Sequence, residues 1–117
     1  GDDFATAVCG GSPKHCPIKK EFALKTATYG VRCCADEKFP MSTKKDDCSI
    51  FAGSLGLDKE CLRDATFEEA EAFCTELGAR LCTEEELLNR CARGTGCQLN
   101  KELVWSKPNY NFLCISK

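Results

Sequence analysis

The 117-residue sequence has no run of eighteen apolar residues, so no segment is expected to cross a membrane as a helix. It holds one histidine, His15, and no Cys-x-x-Cys. Structural zinc sites gather their ligands in close Cys or His pairs, and thiol oxidoreductases use Cys-x-x-Cys. Both classes are set aside, and neither a metal nor another cofactor is expected. The opening Gly1-Asp2-Asp3-Phe4 lacks a basic stretch followed by an apolar run. Any targeting peptide is therefore expected to have been removed or to lie outside this chain. Repeats and low-complexity linkers are missing too, which leaves one folded unit of ordinary composition.

Net charge is close to zero, −2, but unevenly spread. Residues 1–56 carry eight basic and seven acidic side chains, residues 57–88 three and ten, and residues 89–117 five and one. The C-terminal excess is spread over Arg90, Arg93, Lys101, Lys107 and Lys117, without the dense aromatic interleaving of a nucleic-acid groove. A nucleic-acid or anionic-membrane partner is not expected.

What the chain has in excess is cysteine. Eleven in 117 residues is about 9 %, the density of a disulfide scaffold in a short secreted chain. An oxidising compartment follows: secreted, extracellular or lumenal. Eleven is odd, so at most five intramolecular bridges form, and at least one cysteine is left free, capped or bonded to another chain.

Residues 1–26 read as a loop-like arm, and residues 27–117 as the cysteine-rich domain. Gly10-Gly11-Ser12-Pro13 between Cys9 and Cys16 suggests a small closed loop. Residues 27–34 alternate as a strand, with Tyr29, Val31 and Cys33 on one face and Arg32 and Cys34 on the other. The adjacent cysteines should therefore have different partners. Residues 35–60 read as an irregular connection.

Two helices are expected after it. Thr66-Phe67-Glu68-Glu69 is a capping box, and Phe67, Ala70, Cys74 and Leu77 then share one face up to a left-handed stop at Gly78. An extended piece, residues 79–82, leads to a second capping box, Thr83-Glu84-Glu85-Glu86. Leu87, Leu88 and Cys91 form the apolar side of that helix, with Arg90 and Arg93 in its last turn and Gly94 as its stop. Residues 103–105 and 112–115 read as short buried strands.

The run from Thr66 to Cys82 is similar to the opening helix and following strand of C-type-lectin-like domains, and Phe112-Leu113-Cys114-Ile115 looks like their last strand. Val31-Arg32-Cys33-Cys34, Ala79-Arg80-Leu81-Cys82-Thr83 and Gly94-Thr95-Gly96-Cys97 with Glu102-Leu103-Val104-Trp105 together resemble an uncharacterised cysteine-rich domain of secreted algal and marine-invertebrate proteins. The resemblance covers roughly residues 27–115. It implies a small α+β domain, two helices flanking short antiparallel strands, and a Cys74–Cys114 bridge. The position of Cys74 on the apolar helix face agrees with that bridge. Proximity alone suggests Cys91–Cys97, Cys9–Cys16 and Cys48–Cys61, while eleven cysteines leave the connectivity open. The calcium-dependent sugar site of that family is not expected, because Lys107-Pro108-Asn109 puts a lysine where a carboxylate ligand belongs.

No catalytic set stands out. His15 beside Cys16 suggests a nucleophile, but a bridged Cys16 cannot attack. Glu84, Glu85 and Glu86 are explained by the helix N-terminus, and Asp46-Asp47 beside Lys44-Lys45 by a solvated turn. Trp105, Tyr110 and Phe112 form either core or an aromatic platform. The preferred contact surface is Trp105, Lys107, Asn109, Tyr110 and Asn111, on a loop following a rigid strand. The expectation is a non-catalytic, disulfide-stabilised module that binds a protein or a glycan. The alternative is a small structural subunit docked on a larger assembly, with the odd cysteine available for an interchain bond.

Overall fold

The computed structural model describes residues 3–108. It is α+β, with two three-stranded antiparallel sheets, two helices and five disulfides. In the first sheet, β1 (Phe4–Cys9) lies between β2 (Lys20–Leu24) and β6 (Leu103–Trp105). In the second, β3 (Cys33–Ala35) lies between β4 (Phe51–Gly53) and β5 (Arg80–Leu81).

The N-terminal segment is therefore not loop-like: it supplies two strands, one of them central. The strand signal is masked because Ala5, Ala7 and Ala23 are small. They are small because this face of the sheet lies against the core around Trp105. Val8 points to the opposite face, into a second core cluster with Val104 and Leu87. Past β1 the chain presses on the 99–102 segment. A Cβ at Gly10 would sit 2.1 Å from the Leu99 carbonyl oxygen, so only glycine fits there.

The expected strand over residues 27–34 shortens to β3, because Tyr29 and Gly30 make only single bridges, to Ala65 and Val104. Its alternation holds. Val31 and Cys33 belong to the core cluster under the first helix, and Cys34 to the other. Cys33 and Cys34 accordingly bond different partners, Cys74 and Cys82. The expected strand over residues 112–115 lies outside the described residues.

Helix α1 (Phe67–Glu76) starts at the Thr66/Glu69 capping box and buries Phe67, Ala70 and Cys74, as their spacing requires. Gly78, at φ +79°, closes it with Gly78 N–H donating to Thr75 O and Ala79 N–H to Cys74 O. Helix α2 (Glu84–Leu88) starts the same way at Thr83/Glu86 but is shorter than expected. Arg90, not Gly94, is its left-handed stop, at φ +66°, with Arg90 N–H donating to Leu87 O and Cys91 N–H to Glu86 O. Arg90 and Arg93 thus lie past the helix. Because an L side chain is strained in this conformation, Arg90→Gly should stabilise the fold by about 0.5–1 kcal/mol, read from denaturant midpoints.

The disulfide pairs correct three expectations. Cys74 bonds Cys33, so the implied Cys74–Cys114 bridge does not form; Cys114 itself lies outside the described residues. Cys48 bonds Cys91 and Cys61 bonds Cys97, in place of Cys48–Cys61 and Cys91–Cys97. The left-handed exit from α2 turns Cys91 into the second core cluster, where Cys48 already sits. Only the short Cys9–Cys16 loop follows proximity in the chain.

Candidate functional site

Antiparallel register places Phe4 opposite Leu24 and Thr6 opposite Phe22, on the face away from Ala5, Ala7 and Ala23. Phe4, Phe22 and Leu24 are 49 %, 80 % and 49 % exposed. They form an apolar face on a hairpin whose β2 is the sheet edge. Bare apolar edge strands are aggregation hazards that native proteins normally blunt or cover, and contiguous apolar surface marks interaction sites.

The hairpin is fixed from behind and at one end. On its inner face, Glu21 accepts a hydrogen bond from the Tyr29 hydroxyl. The Tyr29 ring stands edge-on to Trp105, with centroids 4.8 Å apart. Burial, helped by Glu21, pushes the Tyr29 phenol up to about 12. At the end of β2, Lys20 pairs with Glu84 at 2.9 Å, an exposed contact that contributes little by itself.

Glu86 joins α2 to β5. Its carboxylate accepts from both Arg80 guanidinium nitrogens, at 2.8 and 2.9 Å, and from the Thr83 N–H. Burial acts to raise its pKa, but the Arg80 and Thr83 hydrogen bonds outweigh it and the net shift is downward. The unfolded chain therefore takes up this proton at higher pH than the folded one. The stability Glu86 contributes is complete above the ordinary glutamate pKa, about 4.3, and disappears as pH falls through the lower folded value. Glu86→Gln should weaken the fold at neutral pH and flatten the acid limb, as urea midpoints across pH would show.

The expected contact loop is placed differently. Trp105 is fully buried, and its Nε1–H donates to Ala65 O at 2.8 Å while Phe67 packs on its ring. It is core and offers no ring face to a ligand. Lys107 is exposed, with its backbone N–H donating to Cys82 O. Asn109, Tyr110 and Asn111 lie outside the described residues. The hairpin face was not visible in the sequence, since only register shows that Phe4, Phe22 and Leu24 converge.

Cys16 is bridged to Cys9, which removes it as a nucleophile beside exposed His15. Glu84 and Glu86 are engaged by Lys20 and Arg80. Among the described residues one trio has metal-ligand proximity: Cys34, Cys82 and Glu86. Its two sulfurs are bonded to each other and have no thiolate to give. No protein-family model, curated protein or solved structure matches the chain.

Proposed function

We propose that this domain is a non-catalytic interaction module of an oxidising compartment, and that it contacts a protein partner through the apolar hairpin face. The observation that carries this reading is the exposure of Phe4, Phe22 and Leu24 on a sheet that five disulfides and two core clusters otherwise hold closed. A preformed face loses little conformational entropy on binding, and aromatic side chains are favoured anchors. The same face favours stable docking as a subunit, because isolated subunits expose the apolar surface that their assembly covers.

A photo-reactive residue in place of Phe22 should cross-link to one defined partner in the native source. The same residue in place of Leu57, which is also exposed, should not. Phe22→Asp should abolish co-purification of that partner while leaving the fold intact. Unchanged co-purification by Phe22→Asp would refute the assignment. A free pool of the domain would mark a reversible module, and its absence a docked subunit.

A further inference from the structure

The two helix exits share one hydrogen-bond pattern, but where α1 uses Gly78, α2 places Arg90 in the strained left-handed conformation. The Arg90 side chain lines an open groove of about 690 Å³. One wall is the 45–48 loop, with Lys45, Asp46 and Asp47, and the other is the 88–94 turn, with Leu88, Arg90 and Arg93. The Cys48–Cys91 bridge ties the two walls together. None of the five charged residues has an ion-pair partner among the described residues.

We propose that this groove binds an acidic saccharide, with Arg90 and Arg93 holding its anionic group and Asp46 and Asp47 accepting from its hydroxyls. Guanidinium groups match carboxylate or sulfate oxygens in paired geometry, and ionised carboxylates are acceptors only, suited to hydroxyl donors. A dense polyanion is disfavoured because Asp46 and Asp47 would repel it. A peptide is disfavoured because Leu88 is the one apolar side chain beside the bridge, and peptide recognition relies on buried apolar anchors. The volume falls within the range of small-ligand sites. This site is separate from the hairpin face and stands or falls independently of it.

The test is calorimetric titration at low ionic strength with a trisaccharide carrying a single uronate, its neutral methyl ester and the same trisaccharide carrying a single sulfate in place of the carboxylate. The carboxylated trimer, the sulfated trimer or both should bind, distinguishing carboxylate from sulfate as the anionic group, and the methyl ester should not. Arg90→Gly and Arg93→Ala should each weaken binding about tenfold or more, and added salt should weaken it further. Arg90→Gly relieves backbone strain, so its loss of affinity should accompany a higher Tm and cannot reflect unfolding. Phe22→Asp should leave the titration unchanged. Equal binding of the acid and its ester, full affinity in Arg90→Gly, or binding of none of the trimers would overturn the proposal.

Discussion

Arg32→Met is expected to cost about 2–5 kcal/mol of folding stability and to loosen the 92–100 turn selectively. Arg32 is fully buried, and no ion-pair partner faces it among the described residues. Its NH1 donates to Gly10 O at 2.8 Å, Ala92 O at 2.7 Å and Asn100 Oδ1 at 3.1 Å, and its NH2 donates to Gly96 O at 2.9 Å. One guanidinium thus joins the loop after β1 to the turn that carries Cys91 and Cys97. Two opposing effects are removed together. Burial lowers the Arg32 pKa from 12.5 to about 10, so deleting the charge relieves about 3 kcal/mol. Against that, each carbonyl left unpaired in the interior costs about 1–3 kcal/mol, and three lose this donor. Asn100 Oδ1 suffers less because it keeps the Gly94 N–H at 3.0 Å. The three carbonyl losses, about 3–9 kcal/mol together, exceed that relief over nearly all of their range. Arg32→Lys should fare no better, since a compact ammonium retains the charge but cannot span Gly10, Ala92 and Gly96 at once.

The location of the damage follows from backbone strain. Gly96, Cys97 and Gln98 take φ values of +107°, +68° and +56°, a run that only surrounding contacts can hold. Arg32, the Cys61–Cys97 bridge and the Ser54–Thr95 hydroxyl pair at 2.7 Å supply those contacts. In Arg32→Met, amide hydrogen exchange should rise over residues 92–100 well before it rises in α1. Uniform acceleration through the whole chain would contradict this account.

Deleting the Cys33–Cys74 bridge should have the larger effect. With Cys34–Cys82 intact it closes a path of only about nine residues, for which chain entropy predicts about 2.5 kcal/mol. Both sulfurs lie in the core cluster with Phe67, Leu77 and Trp105, so Cys33→Ala/Cys74→Ala also leaves a packing defect. A combined loss of about 4 kcal/mol is a large share of a typical domain's total stability. The double variant should be unfolded or nearly so at 37 °C, read by near-ultraviolet circular dichroism of the buried Trp105. Deleting the Cys9–Cys16 bridge, across a comparable separation of 7 residues, should cost less because Cys16 is only half-buried and less core packing is lost. Equal losses for the two deletions would show that core packing does not set the difference here.

Features encoded by neighbouring side chains were legible in the sequence. Thr66/Glu69 and Thr83/Glu86 mark both helix starts because a capping box closes within four residues. The division of Cys33 from Cys34 follows from strand alternation alone. Features created by tertiary contact were not legible. The β1–β2 hairpin hides behind alanines whose small size reflects the core they touch. Alternation puts Arg32 on the face of Cys34, but only the fold shows that the 92–100 turn lies over it and takes its hydrogen bonds. Cys48–Cys91 and Cys61–Cys97 join positions separated by 43 and 36 residues, and proximity in the chain points instead to pairs within each loop. The first of those bridges ties together the two walls of the groove lined by Arg90 and Lys45.

Long-range cross-links hold the second core cluster and the groove walls in place. Peptide mapping of the non-reduced protein after trypsin tests this most directly, because cleavage after Lys45, Lys59, Arg63, Arg90, Arg93 and Lys101 separates the four relevant cysteines. The Cys48 peptide should be recovered joined to the Cys91 peptide, and the Cys61 peptide joined to the Cys97 peptide. Recovery of Cys48 bonded to Cys61 and Cys91 bonded to Cys97 would contradict this pairing.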